Sequence, residues 1–129
     1  MHSTPSPEKV HSASPEDLVL MLFEGAVRVG HQAQDALDAG DRDTGAGLVG
    51  RVRAIVEELD RSLNPAAGSI TRHLSAIYEY VLGRLEPETI DATTLGEVIS
   101  DLKVLCEAWT ALAAERGLEE SQTTSHALA

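Results

Sequence analysis

Apolar residues recur along this chain at three- and four-residue spacing in four stretches, each closed by turn residues. In the first, Ser14 suits a helix cap and Pro15 a first turn. Glu16 and Asp17 complement the positive end of the dipole, and Gly40 marks a stop, so a helix is predicted from about Pro15 to Ala39. The second follows Asp41-Arg42-Asp43 and places Leu48, Val52, Ile55 and Leu59 in one row, widened by Val49, Val56 and Leu63. Asn64-Pro65 and Gly68 end it. The third carries Ile70, Leu74, Ile77, Val81 and Leu85 after Ser69 and stops at Glu86-Pro87. The fourth starts near Asp91 and repeats Leu95, Val98, Leu102, Leu105, Trp109 and Leu112, the spacing of a bundle seam. Connections this short force neighbours to run antiparallel, so the predicted fold is all-α, an antiparallel up-and-down four-helix bundle over residues 14–116.

The two ends read differently. Residues 1–13 are mostly Ser, Pro, His and Thr, with Val10 an isolated apolar side chain among them, too little to offset the entropy of ordering the segment, and a mobile arm is expected. Gly117 opens a polar stretch, so a helix stop and a disordered tail over 117–129 are expected.

Leu18 to Phe23 is apolar without interruption, where a helix against one core needs only a stripe. At 100° per residue Leu18, Leu22, Gly25, Ala26, Val29 and Ala33 form one face, expected to be core. Val19, Phe23 and Val27 fall to one side of it, so an adjoining helix, the arm or a partner is needed to cover them.

Composition narrows the function classes. Apolar residues make up 43% of the 129 positions, enough for one core, and with one Trp, one Phe and two Tyr that core is aliphatic. Ten basic residues against 21 acidic ones give a net charge of −11, which repels nucleic acid and anionic membrane surfaces. No apolar run reaches the roughly 18 residues of a membrane span, so no membrane insertion is expected. Cys106 stands alone and forms no internal disulfide, and no basic region precedes an apolar run at the N-terminus. A cytoplasmic location is expected.

Candidate chemistry is sparse. There is no phosphate-binding glycine loop, paired-Cys motif or nucleophile elbow. Neither His31 nor His73 has a Glu three residues before it, as a di-metal bundle would need, so no catalytic group, metal or cofactor is expected. Cys106 lies beside the fourth seam and reads as an inert thiol. Arg53, Glu57 and Arg61, four apart, read as a solvated face with weak ion pairs. His73 falls between apolar rows, and one alternative makes it the carrier of a four-helix-bundle phosphorelay signalling domain. Gly25, Gly30, Gly45, Gly47, Gly50, Gly83 and Gly96 lie within or at the start of helices, at about 1 kcal/mol each when interior, and fit close helix approach or shallow grooves.

Four stretches together resemble the flagellar secretion chaperone family FliS. Residues 14–28, Ser-Pro-Glu-Asp through Phe23-Glu24-Gly25-Ala26 to Arg28, are similar to its first-helix pattern, which has Tyr-Asp where this chain has Phe23-Glu24. The stretch from Ala54 to Ile70 resembles the helix and loop that follow. Leu74, Ile77, Tyr78 and Tyr80 resemble the Leu-x-x-Leu-Tyr-x-Tyr core of the third helix, with His73 at a frequent Asn. The stretch from Leu95 to Trp109 resembles the fourth. The likeness covers residues 14–112 in order, and the family's arm tyrosines have no counterpart before Phe23.

The resemblance implies a non-enzymatic cytoplasmic export chaperone. Such proteins bind the disordered C-terminal segment of flagellin, prevent premature polymerisation and deliver it to the flagellar type III export apparatus. The implied mechanism is coupled folding and binding, with client helices inserting side chains between chaperone helices. Expected groove residues are Val19, Phe23, Ile55, Leu59, Ile77, Tyr78, Val81, Leu82, Leu95, Val98 and Ile99, and Val10 of the arm is expected to cap the groove when the client is absent.

Overall fold

The structure, a computed structural model, describes residues 15–64, 66 and 68–128. Four helices follow in order: α1 (Pro15–Asp38), α2 (Arg42–Arg61), α3 (Ser69–Arg84) and α4 (Ala92–Leu128). The arm of residues 1–13, with Val10, lies outside the described residues.

The α1–α2 turn shows why these boundaries fall where they do. The Asp41 amide donates to the Ala36 carbonyl at 2.9 Å and the Gly40 amide to that of Leu37 at 3.0 Å, the paired bonds of a Schellman stop. That geometry puts Gly40 at φ +81, which a side chain would strain. Asp41 then caps α2, accepting from the Thr44 amide at 3.2 Å, and Asp91 caps α4 in the same way, accepting from the Thr94 amide at 2.7 Å. Both carboxyls are held below the usual carboxylate range by those Thr hydrogen bonds.

The helices form a ring in which each packs on its sequence neighbours and α4 closes onto α1. The Trp109 indole N–H donates to the Glu16 carbonyl at 3.1 Å, and the Gln34 amide to the Ala92 carbonyl at 3.4 Å. The start of α1 therefore faces the far part of α4, and its end faces the start of α4, an antiparallel pair. α1 packs most closely, on α2 and α4; α3 is the most loosely attached. The aliphatic core combines Ala26, Val29 and Ala33 of α1 with Val49, Val52 and Val56 of α2, Val81 of α3 and Leu95, Val98 and Leu102 of α4. Gly30 lets α1 and α4 approach, since a Cβ there would stand 2.9 Å from the Ile99 Cγ1.

Two sequence expectations change here. Gly117 does not stop α4, whose helical backbone continues to Leu128. A single glycine costs only about 1 kcal/mol, and no proline follows to enforce an end. Arg53 also does more than sit on a solvated face. Besides its 3.8 Å approach to Glu57, its guanidinium donates to the Leu82 and Leu85 carbonyls at 2.7 and 3.0 Å, satisfying open acceptors at the end of α3. Arg61 pairs with Glu58 at 2.7 Å.

Candidate partner-binding surface

The buried arc of α1 is rotated from the face expected of it. Phe23 is in the core with Ala26, Val29 and Ala33, whereas Leu18 is 51% exposed and Met21 61%. The cause is tertiary. α1 is flanked by both α2 and α4, so its covered arc is wide and takes in Phe23 and Gly30. Leu18, counted as core from the sequence, falls on the rim in the first turn. Val19 and Val27 pack half-buried against the core.

Several expected groove residues are core as well. Phe23, Leu59, Tyr78, Val81, Leu95, Val98 and Ile99 are all buried in the bundle, and of these Phe23 also lines the cavity between α3 and α4. They belong to the inward rows of their helices, and a continuous apolar row cannot be assigned to core or groove without its neighbours. Val19, Ile55 and Leu82 are half-buried and Ile77 is exposed.

Leu18, Met21, Ile70 and Leu112, four of the exposed apolar side chains, sit at the end of the bundle where the α2–α3 connection lies, while Tyr80 and Val104 are exposed elsewhere. On one side, a hollow of about 500 Å³ between α1 and α2 is lined by Leu18, Met21, Leu22, Gly25 and Ile55, with Arg28 and Glu58 at its edge. Gly25 deepens it, because a Cβ there would touch the Ile55 Cδ1 at 3.9 Å. On the other, a cavity of about 260 Å³ between α3 and α4 is bounded by Ile70, Leu74, Leu105, Trp109 and Leu112, with Phe23 at its base. Sequence reading missed Leu18, Met21, Ile70 and Leu112 as surface. The signal available was the excess of apolar residues over a single stripe.

Other candidate groups do little chemistry. His73 is exposed at the edge of the α3–α4 cavity, one ring nitrogen 2.8 Å from the Ser69 carbonyl, and no carboxylate lines that cavity. Cys106 is half-buried below a hollow between α1 and α4 with a mixed rim of Arg28, Lys103, Glu24 and Glu107. Burial pushes its thiol up, and the Glu24 and Glu107 charges add to that. Burial, followed by the Asp60 charge, pushes the Tyr78 hydroxyl up to about 12. No group of three or more His, Cys, Asp or Glu fit to hold a metal occurs among the described residues. No helix among them is long and apolar enough to cross a membrane.

Comparison with known proteins identifies relatives of the chain. The chain is 32% identical over 117 residues to the flagellar secretion chaperone FliS of Salmonella typhimurium, covering 88% of this chain and 87% of that protein. It is 31% identical over 99 residues to the flagellar secretion chaperone FliS of Campylobacter jejuni, covering 74% of this chain and 77% of that one. The family model described as flagellar protein FliS matches residues 3–116. A helical bundle without a catalytic constellation among its described residues, open at one apolar end, thus belongs to the FliS family of flagellar chaperones.

Proposed function

We propose that this chain binds the disordered C-terminal segment of flagellin in the cytoplasm, keeps it from polymerising and hands it to the flagellar type III export apparatus, without catalysing any reaction. The observation that carries this reading is the pair of apolar hollows, α1–α2 and α3–α4, on two sides of one bundle end. A disordered segment that folds on binding reaches both by laying a short helix in each and crossing the end between them. Ordering such a segment costs conformational entropy, which burial of Leu18, Met21, Ile70 and Ile77 with their client partners offsets. Val19, Ile55, Ile77 and Leu82 remain as contacts from the sequence expectation, joined by Leu18, Met21, Ile70 and Leu112.

α1 starts at the same end, where the Trp109 indole N–H donates to the Glu16 carbonyl beside the α3–α4 cavity. In this reading Val10 and its neighbours occupy part of the apolar end until flagellin displaces them. Deleting residues 1–13 then raises the association rate; an unchanged rate removes the arm from the mechanism. Co-purification tests the function as a whole. Full-length flagellin is retained on the immobilised protein and flagellin lacking its C-terminal segment is not, whereas equal retention of both contradicts the assignment.

A further inference from the structure

α3 is fastened at one end only. Its C-terminal half places Tyr78 and Val81 in the core, with Leu85 just beyond. Arg53 of α2 holds the Leu82 and Leu85 carbonyls, and Arg84 pairs with Glu97 of α4 while lying over the Tyr80 ring. The N-terminal half has none of this. Ile70 is exposed, as is Ile77 at mid-helix, and Leu74 is the one large apolar residue of this half that is half-buried against the core. Gly68 precedes the helix at φ +70 and provides no side-chain cap. The Thr71 hydroxyl reaches back to the Asn64 carbonyl in the connection before the helix, and among the described residues no hydrogen bond joins this half to α4. Under it lies the apolar cavity against Phe23, Trp109 and Leu112.

We propose that α3 is a hinged flap, pinned at Leu82–Leu85 by Arg53, whose free N-terminal half swings away from α4 to admit an apolar side chain of the bound client into the cavity beneath it. Packing, hydrogen bonding and empty volume are all asymmetric in the same sense. Dispersion contacts missing along the cavity walls leave little to hold the free end shut. For a helix about 24 Å long, a rotation of about 15° about the pinned end moves the free end by about 6 Å. An inserted apolar side chain then regains the contacts that the cavity lacks. The identity of the client rests on the flagellin reading; the hinge does not.

The test is pulsed electron–electron resonance on the full-length protein, with Cys106→Ser removing the native thiol. One pair of nitroxides sits at exposed Arg72→Cys and Glu107→Cys, spanning the free end. The other sits at exposed Glu79→Cys and Asp101→Cys, near the pinned end. In the free protein the first pair gives the broader distance distribution. Adding the flagellin C-terminal segment lengthens the first distance and leaves the second unchanged. Equal widths in the free protein, or a complex in which the first distance stays the same, overturn the hinge. If no complex forms, the flagellin reading fails, and the widths in the free protein alone decide the hinge.

Discussion

Phe23 of α1 and Tyr78 of α3 meet across the diagonal of the bundle, ring centroids 6.4 Å apart and planes tilted by 45°. The backbones of these two helices do not pack closely on one another, and the two rings form an aromatic bridge between them in an otherwise largely aliphatic core. Its position between the two apolar hollows separates residues that hold the fold from residues free to meet a partner.

Substitutions on the two sides of that divide are predicted to behave oppositely. Phe23→Ala removes a buried ring and costs about 3–5 kcal/mol in urea unfolding. Met21→Ser, on the exposed rim, changes stability by less than about 0.5 kcal/mol but weakens client binding about tenfold or more, as titration calorimetry will show. A Met21→Ser protein that binds as tightly as wild type removes the α1–α2 hollow from the interface.

Tyr78 carries a signature of its burial. Its hydroxyl pKa is raised to about 12 in the folded chain, so the neutral form is favoured there. The resulting stability is fully present below about pH 10, the unfolded value, and is lost as pH rises towards 12. Ultraviolet titration of a Tyr80→Phe protein isolates this group, and ionisation well above pH 10 is expected.

The acid side is governed by the two aspartate caps. Because Asp41 and Asp91 have lowered pKa values in the fold, their contribution is present above the unfolded value and is lost as pH falls through the still lower folded one. Melting temperature is predicted to fall as pH drops below about 4, where these two caps become protonated. Asp41→Asn with Asp91→Asn keeps an acceptor for the Thr44 and Thr94 amides and flattens that drop.

Glycines separate by surroundings. Gly50 has open space where a Cβ would go, so Gly50→Ala raises stability by about 0.5–1 kcal/mol through helix propensity. At Gly30 the Ile99 side chain blocks the same change, and Gly30→Ala lowers stability by about 1–3 kcal/mol. Melts of the two single variants decide this.

Much of the fold was legible from residues whose effect is local. Pro15, Gly40, Asp41, Gly68 and Asp91 set helix ends through backbone chemistry that depends on few neighbours, and the ends fall close to where they point. Gly117 misled because a glycine only weakens a helix. The site was less legible for a physical reason. Whether Leu18 or Phe23 faces inward depends on how α2 and α4 flank α1, a long-range fact that periodicity does not encode. Arg53 shows the same limit, since its partners are the Leu82 and Leu85 carbonyls of another helix. The family likeness, carried by short runs in order along the chain, was legible throughout.

Calorimetric titration of the purified protein with the C-terminal segment of the same organism's flagellin, repeated at several temperatures and followed by circular dichroism of the mixture, tests the central claim most directly. The account predicts a one-to-one complex with a negative heat-capacity change and more helix than the sum of the separate components. An absence of binding heat together with an additive spectrum would contradict it.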